Sequence, residues 1–339
     1  MSKKIAVIRF SALGDVAMLV PILRLAKIQH PNIKLHVFTK KPFDRIFHIA
    51  DIEATGINFN NEYKGIVGLK NLAKKIDHQG FDCILDMHLV LRTLILDFFS
   101  HTTFYRLDKG RSEKKAMIKA ASRPEQSLPS MHKRYAAVFQ DAHIKLNQKA
   151  KLDKIAVTEL PKLPFLIDDS DPLIGIAPFS AHPSKEYPLE QMKVVIKKIQ
   201  DEARVNILLF GGGKEEEKKL NSLADEFNNV HSTAGILTLE DQIKWMSQLK
   251  LMLSMDSGNG HLAAAMGIQV ITVWGATHPY LGFKPYNQPH NNQLLPDAKK
   301  YPAIPVSVFG KTKDKYYANA IASIEPSDIV QQIMNHISD

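Results

Sequence analysis

Short apolar runs alternate with segments of helical periodicity along most of this 339-residue chain. Residues 4–10 (KIAVIRF) predict a buried strand, and residues 16–29 repeat apolar side chains at the spacing of a helix. The alternation restarts at residues 173–177 (LIGIA) and continues to a last predicted helix over residues 327–338, with Ser327 as its N-cap. Strands that are joined through helices lie parallel in a sheet, so the chain is predicted to be an α/β protein.

The chain length and one proline-containing stretch divide the sequence into two domains. At 339 residues the chain exceeds one typical domain. Residues 151–172 are polar and contain Pro161, Pro164 and Pro172, so they are predicted to form a linker. We therefore expect one domain over residues 1–150, a second over residues 173–325, and the last helix within residues 326–339.

Composition and segment lengths exclude several classes of protein. Hydrophobic residues make up 45% of the chain and charged residues 23%, which is typical of a soluble globular protein. The apolar runs are all far shorter than the ~20 residues that a transmembrane helix needs. Arg9 interrupts the apolar N-terminal stretch, which favours a first strand over a signal peptide. A single cysteine, Cys83, excludes an internal disulfide and favours a cytoplasmic location.

The net charge of +9 is concentrated in one segment, residues 108–134. One interpretation is a solvated basic loop, and the other is a surface for an anionic partner such as a phosphorylated substrate or a membrane. A nucleic-acid partner is not expected, because basic residues interleaved with aromatic residues are missing from the sequence. The candidate anion-binding side chains are Lys109, Arg111, Lys114, Lys115, Lys119 and Arg123.

The most informative stretch for ligand binding is residues 251–279. An apolar run ends in the polar turn DSGNG, a short helical segment follows, and a second apolar run ends in GATHP. Both turns follow the carboxyl ends of predicted strands, where open α/β sheets bind their ligands. A helix that starts in the first turn also directs amide groups toward a phosphate. Asp256, Ser257, Gly258 and His261 are therefore predicted to bind a ligand.

Two charged residues in other turns admit both a structural and a catalytic interpretation. Asp15 lies at a predicted helix start, where an acid stabilises the helix or serves as a general base. Gly14 beside it is predicted to bind the substrate by letting it approach the backbone closely. Lys185 lies in the polar loop after the strand at residues 173–177, either as a solvated lysine or as a group that neutralises a diphosphate. Ser180 and Ser184 in the same loop could add hydroxyl donors.

Several other motifs carry less information. The triple-glycine turn at residues 211–213 precedes three acids and does not match a P-loop. Glu217, the last of the three, could bind ribose hydroxyls or stabilise the helix start. The Asp169–Asp171 pair precedes a strand and is interpreted as a turn. The histidines show no zinc-site spacing, so no metal site is predicted.

Together these motifs resemble the ADP-heptose:lipopolysaccharide heptosyltransferases, glycosyltransferase family 9. The resemblance rests on SALGDV at residues 11–16, on Lys185, on DSGNGHLAAA at residues 256–265 and on WGATHP at residues 274–279. It implies the GT-B fold, in which two Rossmann-like domains with parallel sheets face a central cleft. The first domain would bind the acceptor and the second the nucleotide sugar, with the last helix packed back on the first domain.

The resemblance also implies a reaction: an inverting, metal-independent transfer of heptose or a related sugar from an ADP-sugar to a Kdo-bearing lipid of the lipopolysaccharide inner core. Asp15 matches the catalytic aspartate, and Lys185 matches the phosphate-contacting lysine. Asp256, Ser257, Gly258 and His261 match the donor-binding turn, and Glu217 matches the ribose-binding glutamate. The implied partners are the ADP-sugar, an anionic lipid acceptor and the inner-membrane surface, which the protein would contact peripherally, with no cofactor.

Two alternatives stay open on the same scaffold. One is a GT-B-like epimerase of nucleotide sugars, which needs no acceptor. The other is a non-enzymatic basic protein that binds nucleic acid or a membrane surface. The chain also departs from the family pattern at Asn259-Gly260, before His261, and at Ala276 in the GATHP turn. These departures leave the sugar and the nucleotide open.

Overall fold

Apolar strands and the helices between them build two separate α/β units in the computed structural model, which describes residues 3–337. The first unit contains the described residues up to Lys109 together with Met131–Asp153. The second contains Gly110–Ser130 and the described residues from Lys154 onward. The sequence prediction placed the end of the first domain at residue 150, and in the structure the last residue of the first unit is Asp153.

Residues 3–141 form five parallel strands and six helices. The sheet of the first unit has the strand order β3-β2-β1-β4-β5. These elements are β1 (Lys3–Ile8), α1 (Leu13–Gln29), β2 (Ile33–Lys40), α2 (Asp44–Ile49), β3 (Glu53–Ile57), α3 (Gly65–Asp77), β4 (Cys83–Asp86), α4 (Leu91–Phe99), β5 (Phe104–Arg106), α5 (Arg111–Lys119) and α6 (Met131–Asp141).

The central strand β1 explains the continuous apolar run near the N-terminus. Ile5, Ala6, Val7 and Ile8 are all buried, so both faces of β1 are covered. Helices cover both faces of a parallel sheet, which is why its inner strands are apolar without alternation. The predicted α/β class is confirmed in this unit.

The second unit repeats the architecture with a six-stranded parallel sheet in the order β11-β10-β9-β6-β7-β8. Its elements are β6 (Leu173–Ala177), α7 (Leu189–Glu202), β7 (Asn206–Leu209), α8 (Lys214–Ala224), β8 (Val230–Ser232), α9 (Leu239–Met246), β9 (Leu251–Met255), α10 (Gly258–Ala265), β10 (Gln269–Val273), β11 (Gln293–Leu294), α11 (Lys315–Ala318) and α12 (Pro326–Ile337).

The basic segment Gly110–Ser130, which we assigned to the first domain, belongs to the second unit. Long-range hydrogen bonds account for this difference. The amide of Leu128 donates to the carbonyl of Tyr280 at 2.9 Å, and Arg123 donates to the carbonyl of Pro296 at 2.6 Å. Contacts between residues that are so distant in sequence leave no trace in local periodicity.

The last helix also differs from its prediction. Helix α12 begins at Pro326, one residue before the predicted N-cap Ser327, and the predicted end at Ser338 lies outside the described residues. Its apolar face, formed by Ile329, Val330 and Ile333, is buried in the core of the second unit, where α12 packs against α7. The expectation was that this helix returns to the first domain.

Each sheet has one point at which the strand order reverses. In the first unit the chain moves outward from β1 to β2 and β3, then returns to place β4 on the other side of β1. In the second unit the corresponding reversal lies between β6 and β9. Loops diverge at such a switch point and leave a crevice at the carboxyl ends of the strands, where ligands bind in this class of fold.

Short or atypical elements escaped prediction. Helix α4 is only nine residues long and has apolar residues on both its buried and its exposed side. Strands β5 and β8 are only three residues long each. Within residues 3–337, no helix combines the length and the apolar character that a bilayer span requires.

Candidate active site

The first switch point places a carboxylate against a buried arginine. Arg9 follows β1, and Asp15 lies in the first turn of α1. Nη2 of Arg9 lies 2.5 Å from Oδ2 of Asp15, which also accepts a hydrogen bond from the amide of Ala12 at 3.2 Å. The Asp15 side chain is 27% exposed and that of Arg9 only 5%. The carboxylate is therefore the member of the pair that a ligand can reach, and Gly14 beside it is half-buried.

Two further elements fix this ion pair. Nη1 of Arg9 donates to the carbonyl of Met87, just after β4, at 2.6 Å. The guanidinium also lies 5.9 Å from the ring centroid of Tyr135 on α6, and the Tyr135 hydroxyl donates to the carbonyl of Asp15 at 3.1 Å. Burial raises the pKa of Tyr135, so the phenol keeps its proton and remains a donor. Asp15 is held from three parts of the unit.

A histidine occupies the turn after β4 at the same switch point. Oδ1 of Asp86 accepts hydrogen bonds from the amides of His88 (2.9 Å) and Leu89 (2.8 Å). Leu89 has a φ of 45°, a left-handed conformation that is unusual for leucine. Burial, followed by the charge of Arg9, lowers the pKa of His88 to about 3, so the imidazole is neutral near neutral pH.

The second switch point gathers the predicted donor-binding residues around another ion pair. Nζ of Lys185, in the loop after β6, lies 3.0 Å from Oδ2 of Asp256, directly after β9. The hydroxyl of Thr277, after β10, donates to the same oxygen at 2.8 Å. The side chains of Lys185 and Asp256 are 12% and 10% exposed. Three loops that are distant in sequence thus converge on one carboxylate.

The two serines of the Lys185 loop have internal partners. The Ser180 hydroxyl donates to the carbonyl of Asp256 at 3.2 Å. Ser184 is buried, its hydroxyl donates to the carbonyl of Gly310, and its own carbonyl accepts from the amide of Ala276 at 3.1 Å. Ser180 lies within the predicted site, whereas Ser184 stabilises the position of the loop through its hydrogen bonds to Gly310 and Ala276.

Helix α10 begins at this site with glycine at its first and third positions. Ser257 is its N-cap and places its hydroxyl 3.2 Å from that of Ser254, at the end of β9. A Cβ at Gly260 would lie 2.9 Å from that same Ser254 hydroxyl, so glycine permits the close approach of helix and strand. Gly258 opens the helix, and His261 is buried in its first turn.

Two neighbouring glutamates in the first turn of α8 have different contacts. Oε2 of Glu216 accepts from the amide of Gly212 at 2.8 Å and closes its own turn. Glu217 packs instead against Gly235, after β8, where a Cβ would lie 3.0 Å from Cγ of Glu217. Glu217, which is predicted to bind ribose, therefore lies between the carboxyl ends of β7 and β8.

The six predicted acceptor-binding residues do not form one solvated group. Lys114 is buried with its ammonium 4.2 Å from the ring centroid of Phe283, and Arg123 donates to the carbonyls of Pro296 and, at 3.3 Å, Tyr301. Both residues stabilise the position of the basic segment. Arg111, Lys115 and Lys119 are exposed on α5, and Lys109 is half-buried in the first unit.

Three residues at the two sites were not predicted: Arg9, His88 and Thr277. Each follows the carboxyl end of a strand by one to four residues, at Ile8, Asp86 and Val273 respectively. That position was the available signal, since it is where the fold binds ligands. In the part of the chain that the structure describes, no three His, Cys, Asp or Glu side chains form a group that could hold a metal ion.

Each of the two α/β units thus carries an ion pair at the switch point of its sheet. A sequence model described as glycosyltransferase family 9 (heptosyltransferase) matches residues 69–311, so the chain belongs to that family. The prediction of a GT-B glycosyltransferase related to the heptosyltransferases is thereby confirmed.

Individual relatives agree with this assignment. Lipopolysaccharide heptosyltransferase 1 of Campylobacter coli is 24% identical over 294 residues, which cover 82% of this chain and 85% of that protein. The structure of E. coli heptosyltransferase WaaC with ADP has a TM-score of 0.72 at 18% identity, covering 98% of this chain and 99% of that one. The family 9 glycosyltransferase of Veillonella parvula DSM 2008 has a TM-score of 0.75 at 17% identity, covering 99% and 98%. At these identities the two structures show the shared fold.

Proposed function

We propose that this chain transfers heptose from ADP-heptose to a Kdo-bearing lipid of the lipopolysaccharide inner core, with inversion at the anomeric carbon. The name of the Campylobacter coli relative and the ADP held by WaaC support the choice of acceptor and donor. The observation that carries the proposal is the pair of charged switch points, a reachable carboxylate in the first unit and a lysine in the second.

In this proposal the second unit binds the donor. The ammonium of Lys185 meets the diphosphate, and the amides of the first turn of α10 contribute further donors, because a helix leaves its first amides without intrahelical partners. Asp256 orients Lys185, and Thr277 orients Asp256. Glu217 accepts hydrogen bonds from the ribose hydroxyls.

The chemical step is a single displacement. The acceptor oxygen forms a bond to the anomeric carbon on the face opposite the diphosphate, and its proton passes to Asp15. The bond between the anomeric carbon and the diphosphate oxygen breaks, and ADP leaves with the electron pair. Lys185 and the N-terminus of α10 stabilise the charge that develops on ADP. These protein groups supply the electrostatic stabilisation, so the proposal needs no metal ion.

The acceptor is anionic, and the chain offers cations to bind it. Arg111, Lys115 and Lys119 are exposed on α5 in the second unit, and Lys109 lies beside His88 in the first. We propose that these residues attract the acceptor phosphates and the Kdo carboxylates at the cytoplasmic face of the inner membrane. Such attraction weakens as salt is added.

The test is an Asp15→Asn variant assayed with ADP-heptose and a Kdo-bearing lipid. A general base contributes about 10²- to 10⁴-fold, so we expect kcat to fall by that order while the Kd for ADP, measured by calorimetry, stays at the parental value. Asp328→Asn, which changes an exposed first-turn acid of α12, is the matched control. The proton-acceptor role is refuted if Asp15→Asn transfers sugar at the parental rate. Turnover of the nucleotide sugar without acceptor would instead favour the epimerase.

A further inference from the structure

Two adjacent helices of the first unit expose an unusual number of large apolar side chains. The exposed fractions are 63% for Ile66 and 73% for Val67 on α3, and 73% for Leu91, 45% for Leu94 and 81% for Phe98 on α4. Single exposed apolar residues are ordinary, whereas a group on neighbouring elements indicates an interaction site. We call these five residues the α3–α4 face.

The exposed residues of α4 form a continuous stripe. Leu91, Leu94 and Phe98 are spaced by three and four positions, so they share one side of the helix. Thr93 and Leu96 are buried on the opposite side, toward the sheet. The helix therefore needs its inner side for the fold and keeps a second apolar side directed outward.

Basic residues flank this face, and the nearby acids are engaged elsewhere. Lys70 on α3 lies 5.6 Å from the ring centroid of Phe99 on α4, which shows that the two helices are side by side. Arg92 is also exposed and lies over the ring of Phe59. Asp97 pairs with Arg106 and Glu62 pairs with Lys75, so a cation offsets each of these acids, whereas Asp77 lies at the opposite end of α3 from Ile66 and Val67. The surroundings of the α3–α4 face are therefore positive.

We propose that the α3–α4 face docks on an anionic lipid bilayer. Apolar side chains that enter the interface, surrounded by lysine and arginine that meet lipid headgroups, are the physical basis of peripheral membrane binding. A second copy of the chain is the less favourable occupant. A symmetric contact would bring Lys70 and Arg92 toward their own copies, and like charges repel.

The position of the face suits a lipid acceptor. Helices α3 and α4 follow β3 and β4, so they begin at the carboxyl edge of the sheet, the edge at which Asp15 lies. Ile66, Val67 and Leu91 are in the first turns of these helices. Docking would hold the Asp15 edge near the bilayer. This orientation rests on the proposed function, but lipid binding itself does not.

The test is co-sedimentation of the full chain with vesicles that contain no acceptor. We expect binding to phosphatidylglycerol-containing vesicles, weaker binding at high salt, and little binding to phosphatidylcholine alone. The triple variant Val67→Ser, Leu91→Ser, Phe98→Ser should bind at least about tenfold more weakly. The matched control changes exposed apolar residues elsewhere: Ile28→Ser, Leu166→Ser and Val194→Ser.

Further measurements separate the possible outcomes. Circular dichroism and the Kd for ADP establish that each variant is folded. The triple variant should keep its kcat on a soluble, short-chain acceptor and show a higher KM on acceptor embedded in vesicles. The proposal is overturned if the parental chain does not bind anionic vesicles, or if the triple variant and the control bind equally. It is also overturned if sedimentation velocity shows a dimer that the triple variant alone abolishes.

Discussion

The ion pair between Lys185 and Asp256 makes a quantitative prediction about the second unit. Both side chains are nearly buried, at 12% and 10% exposure, and Thr277 is a further partner of the carboxylate. Replacing Lys185 with methionine keeps the aliphatic stem but leaves a buried carboxylate without its cation. Removing one partner of a buried pair costs about 3 kcal/mol or more, so Lys185→Met should lower the free energy of unfolding by that amount.

The double-mutant cycle isolates the pair from other effects. In Asp256→Asn the remaining ammonium can shift toward solvent along its flexible stem, so we expect a smaller loss of about 1–2 kcal/mol. The double variant removes both charges and should be more stable than the sum of the single effects implies, with a coupling energy of about 2 kcal/mol. Lys244 and Glu240, a half-exposed pair on α9, supply the control, for which about 0.3–0.5 kcal/mol is expected.

Urea unfolding followed by tryptophan fluorescence measures this energy in one unit. The chain has two tryptophans, Trp245 and Trp274, and both are in the second unit. The fluorescence transition therefore reports that unit, which matters because a two-unit chain need not unfold in one step. A coupling energy no larger than that of the control pair would refute the buried ion pair. Lys185→Met should also raise the Kd for ADP about tenfold or more.

Two further outcomes are expected. Burial lowers the pKa of His278 to about 4 from 6.5, and its Nδ1 accepts a hydrogen bond from the amide of Tyr280. As pH falls, His278 therefore binds a proton in the unfolded chain before it does so in the folded one, and the second unit should lose about 2 kcal/mol of stability between about pH 7.5 and 5. This loss should be absent from the His278→Gln variant when unfolding is followed by tryptophan fluorescence. Glu217→Gln should raise the Kd for ADP-heptose, measured by calorimetry, about tenfold and leave the stability unchanged. Glu216→Gln should instead lower the stability, measured by urea unfolding, by about 1 kcal/mol and leave the Kd unchanged.

The sequence was sufficient for the long central strands of both sheets, and it singled out the turns in which the two ion pairs lie. Apolar runs marked the long central strands, because a strand covered on both faces needs an apolar side chain at every position. Asp15, Lys185 and Asp256 were recognised as polar residues that follow such strands. The structure places all three at switch points, which are fixed by strand order alone.

Long-range contacts were beyond the sequence. Lys114 and Arg123 were grouped with exposed lysines because composition counts charges without showing their partners. In the structure Lys114 lies over Phe283 and Arg123 donates to Pro296, contacts that span more than a hundred residues of chain. The same reason explains why the position of α12 was not predicted. Its apolar face is buried in the core of the second unit, but the sequence of that face does not indicate which unit it packs against.

The ion pairs at the two switch points differ in how far each is exposed to solvent. In the first unit the cation of the pair is buried and the carboxylate of Asp15 is the more exposed member, held by Arg9 and Tyr135 in one orientation. If Asp15 is the base, as proposed, it is already oriented before the substrate arrives and needs no reorganisation during the reaction. In the second unit both members are covered, so under the proposed function a diphosphate would have to compete with Asp256 for the Lys185 ammonium. We therefore expect affinity at this site to come from the diphosphate, whose charge can replace a carboxylate beside Lys185, and not from the sugar.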